Sequence, residues 1–157
     1  MAAEARQALL SVRDLKTYFA QDEGLVKAVD GVSFDLFPGG TLGIVGESGC
    51  GKSVTARSIL GIVDRPRRIV GGEIRYRRQA PGGAADPVVD LATLPPNGPE
   101  IRAIRGAEIA LIFQEPMSSF SPVHTIGSQI VEVFMLHQQI SRGEAREKTI
   151  EILRRVG

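Results

Sequence analysis

Gly46-Glu47-Ser48-Gly49-Cys50-Gly51-Lys52-Ser53 decides how the rest of the chain is read. It matches the phosphate-binding pattern G-x-x-x-x-G-K-[ST] at every fixed position. Before it stands the apolar run Thr41-Leu42-Gly43-Ile44-Val45, which has the composition of a buried strand. After it, residues 54–60 (VTARSIL) read as the first turns of a helix that Pro66 must end, near Val63. Strand, glycine loop and helix together are the context in which this pattern cradles a nucleotide.

Each residue type has a reason to be there. Gly46, Gly49 and Gly51 open φ values closed to other residues, so that the loop amides can turn inward on an anion. Glu47, Ser48 and Cys50 carry the remaining loop amides, and the helix opening at Ser53–Val54 adds its unpaired N–H groups and the positive end of its dipole. In this pattern Lys52 reaches the β- and γ-phosphates and the Ser53 hydroxyl ligates Mg²⁺. An ordinary tight turn also favours glycine, but it has no use for Lys-Ser directly behind a strand.

The chain has 157 residues, 43% apolar and 24% charged, which suits one domain with a real core. A net charge of +1 gives no global argument for binding nucleic acid or a membrane surface. A single cysteine, inside the loop, fits a reducing intracellular setting. Residues 1–10 carry Glu4 and Arg6 and lack the apolar centre of a signal peptide. No apolar run approaches the ~20 residues of a membrane helix.

Upstream, residues 9–15 alternate weakly and read as a strand, followed by Lys16-Thr17-Tyr18-Phe19 and a polar loop over 20–24. Residues 27–37 alternate better, with Val32, Phe34 and Leu36 on one face. Downstream, residues 73–78 form another alternating strand behind Arg65, Arg67 and Arg68, a local basic cluster with Tyr76 as its one neighbouring aromatic. Residues 79–87 are a Gly/Pro/Ala-rich loop, 88–91 a hairpin strand and 100–105 a short helix. Ile109-Ala110-Leu111-Ile112-Phe113 has the continuous apolar character of a central parallel strand. A helix is expected over 125–139. Another should open at Ser141, where Ser141 and Glu144 have capping-box spacing, and run to Gly157, where the sequence reads as cut.

The residues beyond the loop disfavour a signalling GTPase and give a poor metal-holding second strand. A signalling GTPase needs D-x-x-G and N-K-x-D, and the only asparagine, Asn97, precedes glycine. A carboxylate normally ends the second apolar strand of a phosphate-loop ATPase, whereas here Gln114 and Glu115 come after Phe113.

GESGCGKS at 46–53 together with FQEPMSSFSP at 113–122 resembles the ATP-binding subunit of an ABC transporter. The likeness spans nearly all of residues 9–157. QEPM, with TIG at 125–127, is similar to the branch importing dipeptides, oligopeptides or nickel, where QEPMTSLNP is usual; Ser118, Phe120 and Ser121 depart from that wording. The resemblance implies an α/β fold: a P-loop NTPase core with an antiparallel β flank (about 8–123) and the start of a helical subdomain (about 124–157), truncated. It implies ATP and Mg²⁺ as cofactors, with Gln114 touching the ion and the site of the attacking water. Tyr18 would stack the adenine, or Phe19 in its place. Expected partners are membrane permease subunits, a second ATP-binding subunit and, indirectly, a substrate-binding protein, at the cytoplasmic face of the membrane. No nucleic acid is expected. The LSGGQ-type signature, the Asp-Glu strand and the switch histidine are absent from these residues, so hydrolysis is expected of the full-length protein and not of this stretch alone. His124 and His137 read as ordinary loop and helix residues. The alternatives are a phosphate-loop ATPase acting on nucleic acid and a non-catalytic nucleotide sensor.

Overall fold

The computed structural model describes residues 7–21, 24–63, 68–78 and 87–157. The readings of residues 1–6, Arg65, Arg67 and the loop over 79–86 lie outside these. The chain forms two compact units, Met1–Ile109 and Ala110–Gly157.

The first unit is built on a four-stranded antiparallel sheet. Its strands are β1 (Leu10–Gln21), β2 (Gly24–Leu36), β3 (Arg68–Arg77) and β4 (Val88–Asp90), in the order β2-β1-β3-β4. β1 is longer than its alternation suggests, and the reason is a bulge. Val12 and Leu15 are both fully buried although three residues apart. Asp14 between them takes a positive φ of 47°, and the pairing slips from Val12↔Phe34 to Leu15↔Val32. One extra residue restores the phase, so a strand that looks irregular as sequence keeps one buried face. The neighbouring strands yield to the bulge. Gly72 (φ 90°) would bring a Cβ within 2.5 Å of the Asp14 carbonyl oxygen, and the Asp14 N–H donates to Ser33 Oγ at 2.9 Å.

The core collects Leu10, Val12, Leu15, Val29, Ile74, Tyr76, Leu91, Ile101 and Ile104. Each large side chain buried here contributes roughly 1.5–3 kcal/mol. Asp90 ends β4 with an Asx turn, its Oδ1 accepting from the N–H groups of Ile74 (2.9 Å) and Ala92 (3.0 Å). The short α2 (Pro99–Ile104), with proline in its first turn, then lays Ile101 and Ile104 against the sheet from the same helical face.

Two expected strands do not form. Residues 41–45 and 110–113 have no regular structure; Val45 is 94% exposed and Ile112 89%. Among the described residues, the only ladder contact at the second run is an isolated parallel bridge, Arg105↔Ile109. A parallel central strand needs a neighbour on each side and cover on both faces. Neither run has them among the described residues.

The second unit holds a 3₁₀ turn (Pro116–Ser119), α3 (Ile126–Gln138) and α4 (Arg142–Val156). Both helices start where the sequence suggests. Thr125 Oγ1 accepts from the Ser128 N–H at 3.2 Å. The Ser141–Glu144 capping box closes in both directions. Ala145 and Thr149 are buried, and a groove of about 720 Å³ between the helices is lined by Val131, Met135, Leu136, Ile150 and Leu153.

Candidate functional site: the phosphate loop

The loop ends in α1 (Lys52–Ile59), whose N-cap is Gly51 at φ 93°. No other residue is tolerated there, for two separate reasons. The dihedral is left-handed, and a Cβ would lie 2.2 Å from the carbonyl oxygen of Ala28 in β2. Gly46 is bound in another way: a Cβ there would meet Cys50 Sγ at 2.6 Å. Gly49 (φ 82°) opens the tight turn in which the Cys50 N–H reaches the Glu47 carbonyl at 3.4 Å.

Lys52 folds back over the loop. Its ammonium donates to the carbonyls of Gly46 and Glu47, each at 2.7 Å, and approaches Cys50 Sγ at 3.5 Å. The first turn of α1 has no acidic residue and no side-chain cap. Its opening amides therefore keep their positive field without a carboxylate to neutralise it. Ser53 is exposed just past the lysine, and Val54 is half-buried among the apolar residues around the core. Thr55 seals the first turn, its N–H and hydroxyl both donating to the Gly51 carbonyl at 2.8 and 3.0 Å.

At its other end α1 is held by Arg105. The guanidinium donates through Nε to the Leu60 carbonyl (2.7 Å) and through Nη2 to the Gly61 carbonyl (2.9 Å). This puts a cation on the negative end of the helix dipole. Burial, aided by Arg102, pulls the guanidinium pKa down. A second tie is internal: Thr17 Oγ1 of β1 lies 2.8 Å from Ser58 Oγ of α1, with both residues fully buried. Sequence reasoning missed both ties. The alternation of β1 carried a signal for Thr17, a polar residue two places from Leu15 on an apolar face. For Arg105 there was none.

Tyr18 stands on β1 beside Thr17, half-buried. Its hydroxyl donates to Asp30 Oδ1 at 2.5 Å and Lys27 Nζ lies 5.5 Å from the ring centroid. Lys27 also pairs with Asp30 Oδ2 at 3.3 Å. The shared proton holds the Asp30 carboxyl below its ordinary value, helped by Lys27, and pushes the Tyr18 phenol up. Tyr18 is thus a fixed ring with an anchored rim. Gln114 belongs to the second unit, in an exposed stretch just before the 3₁₀ turn.

Two arginines, Arg75 in β3 and Arg78 just past its end, are paired locally. Arg75 bridges Glu73 at 2.7 Å and Arg78 bridges Glu108. His124 Nδ1 bonds Ser121 Oγ at 2.8 Å in the loop before α3, as expected of a loop residue. Among the described residues no three His, Cys, Asp or Glu side chains gather as a metal site, and no helix is long and apolar enough to cross a membrane.

A loop, a lysine and an uncapped helix end in this arrangement occur across many phosphate-binding proteins, so the rest of the chain must decide the family. A peptidoglycan transport ATP-binding protein of Agrobacterium fabrum is 47% identical over 152 residues, covering 96% of this chain and 26% of that protein. Oligopeptide and dipeptide transport ATP-binding proteins of Bacillus subtilis are 42% and 41% identical over 150 residues, each covering 95% of this chain; this chain spans 42% and 41% of their lengths. A solved dimeric ATP-binding cassette in a post-hydrolysis state with ADP and Pi superposes with a TM-score of 0.68 at 18% identity, over 92% of this chain and 56% of that one. That likeness places the antiparallel sheet and the helices in a known α/β fold. The ABC transporter family model matches residues 29–157, from the middle of β2 through α4, and the chain belongs to that family.

Proposed function

We propose that the chain is the nucleotide-binding part of an ATP-binding subunit that couples ATP binding and hydrolysis to import of peptides, or of nickel, through a membrane permease. One observation carries this reading: Lys52 and the opening amides of α1 converge at the head of a loop shaped by Gly46, Gly49 and Gly51. Such a site suits a nucleoside triphosphate, with Lys52 on the β- and γ-phosphates. The backbone of Glu47, Ser48, Gly49, Cys50, Gly51, Lys52, Ser53 and Val54 surrounds them. Tyr18 stacks the adenine.

Mg²⁺ arrives with the nucleotide. The exposed Ser53 hydroxyl, at the mouth of the loop, and Gln114 would ligate it, and the ion would neutralise charge developing on the phosphates. Each is chemically suited to that role: a hydroxyl and an amide oxygen are hard donors of the kind Mg²⁺ takes beside phosphate oxygens and water. Lys52 and Gln114 are the catalytic residues of this stretch. The 157 residues alone hold the phosphates without sustained turnover. The names of the relatives support a peptide cargo. Permease partners, a second ATP-binding subunit and a place at the cytoplasmic face of the membrane belong to the same reading.

Titration calorimetry with ATP·Mg²⁺ tests the reading. Lys52→Ala is expected to weaken binding by a hundredfold or more, roughly the worth of losing a charge-assisted phosphate contact. Equal binding by wild type and variant would overturn the assignment.

A further inference from the structure

Thr17 and Ser58 are the two fully buried polar side chains that face each other between β1 and α1. The direction of their bond follows from proton counting. Ser58 Oγ has one proton and gives it to the Val54 carbonyl at 2.7 Å, so it accepts from Thr17 Oγ1 at 2.8 Å. The chain of bonds thus runs from β1, through Ser58, into the first turn of α1, two residues after Lys52. Thr17 is held on its own side by pairing with Val29 of β2 and Ile69 of β3, in the centre of the sheet. Its neighbour in sequence is Tyr18.

Apolar packing between a helix and a strand fixes distance well but permits sliding, because dispersion contacts have little direction. A buried hydroxyl bond of 2.8 Å does not permit it, since moving the partners apart leaves a desolvated donor unmade. We propose that the Thr17–Ser58 pair is a positioning device: it fixes where α1 sits along β1, and so sets the span between the base contact beside Thr17 and the phosphate-gripping head of α1. This inference rests on the reading that base and phosphates bind at these two places. Thr17 and Ser58 act through Tyr18 and Lys52 and touch no ligand themselves. Gly51, packed on the Ala28 carbonyl, gives the same helix a second stop against β2.

The test compares two ligands on the 157-residue chain, ATP·Mg²⁺ and inorganic tripolyphosphate·Mg²⁺, by calorimetry. Thr17→Val keeps the shape and removes the donor. It is expected to lower ATP affinity about fivefold while leaving tripolyphosphate affinity unchanged, because only the two-point ligand senses the span. Thr17→Ser, which keeps the hydroxyl, should restore the wild-type ratio. If Thr17→Val leaves the ratio of the two affinities unaltered, whether both fall together or neither moves, the pair is structural and the proposal fails. Should Thr17→Val lose its cooperative melt, Ser58→Ala is read against the same ratio with the same two outcomes. Tyr18→Ala separates the inference from the reading beneath it. A ratio lowered by Thr17→Val but not by Tyr18→Ala keeps the positioning role and removes Tyr18 as the base contact. A wild-type chain that binds tripolyphosphate as tightly as ATP overturns both.

Discussion

Residues 10–36 and residues 41–45 are both rich in apolar side chains, yet they end in opposite states. The first stretch folds back on itself as β1 and β2, with one full ladder inside the hairpin, from Leu10↔Leu36 to Gln21↔Gly24, and β1 takes β3 on its other edge. The second runs exposed up to the phosphate loop, as does the stretch at 110–113 before Gln114. The difference lies in where a strand's neighbours are along the chain. An antiparallel strand collects its partner across a two-residue turn, at little loop-closure cost. A parallel strand waits for neighbours that come only after a crossover. Apolar composition therefore reports that a run is meant to be covered, and says nothing about what covers it.

This contrast can be broken most easily at its buried end. Leu15→Ala removes a fully buried side chain from β1 and should cost about 2–5 kcal/mol in chemical denaturation. A cost below about 1 kcal/mol would mean the sheet is not the stable part of the first unit. Next comes Gly51→Ala, where left-handed strain alone costs about 1–3 kcal/mol. The approach to the Ala28 carbonyl adds to it, so the melting temperature should fall and nucleotide affinity with it. In the second unit, Ser141→Ala removes the N-cap of α4 and is expected to cost about 1 kcal/mol, read as lost helicity by circular dichroism. Val45→Ala and Ile112→Ala should change stability by less than about 0.5 kcal/mol, as exposed positions do. A larger loss at either would show that the run is packed in solution.

The smallest effect concerns pH. Asp30 titrates below its ordinary 3.8 when folded, so its contribution is complete above that value and disappears as pH falls through the depressed pKa. Tyr18 titrates above 10.0, so its contribution is complete below that value and disappears as pH rises through the raised pKa. Asp30→Asn should therefore differ from wild type in melting temperature through the neutral range and converge with it at both extremes. A difference independent of pH would show that the Tyr18–Asp30 bond does not form in solution.

Much of this molecule is legible in its sequence. The loop pattern locates Gly46, Gly51 and Lys52, because each glycine is required by geometry and the lysine by charge. The helix start at Ser141 is legible because capping is local chemistry between residues three apart, and the helix from Thr125 because its apolar residues recur at helical spacing. The strand expected at 9–15 is right in kind and too short in length. The bulge at Asp14 breaks the period of two, and no residue pattern announces an αL aspartate. The strands expected at 41–45 and 109–113 do not form, because an apolar run signals a need for cover and carries no record of pairing. The role of Arg105 and the partner of Thr17 are invisible for the opposite reason: their bonds join residues 45 and 41 apart, and the sequence near one partner does not name the other.

The grip of Lys52 on its own loop has a thermodynamic consequence. An ammonium has three N–H donors, and here two are spent on carbonyls at 2.7 Å with the thiol of Cys50 beside the third. An arriving phosphate then competes with carbonyl oxygens for this cation instead of stripping water from it. Two of the hydrogen bonds to water that a lysine ordinarily gives up on meeting an anion are here made to the protein instead. Binding becomes an exchange of acceptors, in which the gain in charge complementarity is offset by two carbonyls returned to solvent.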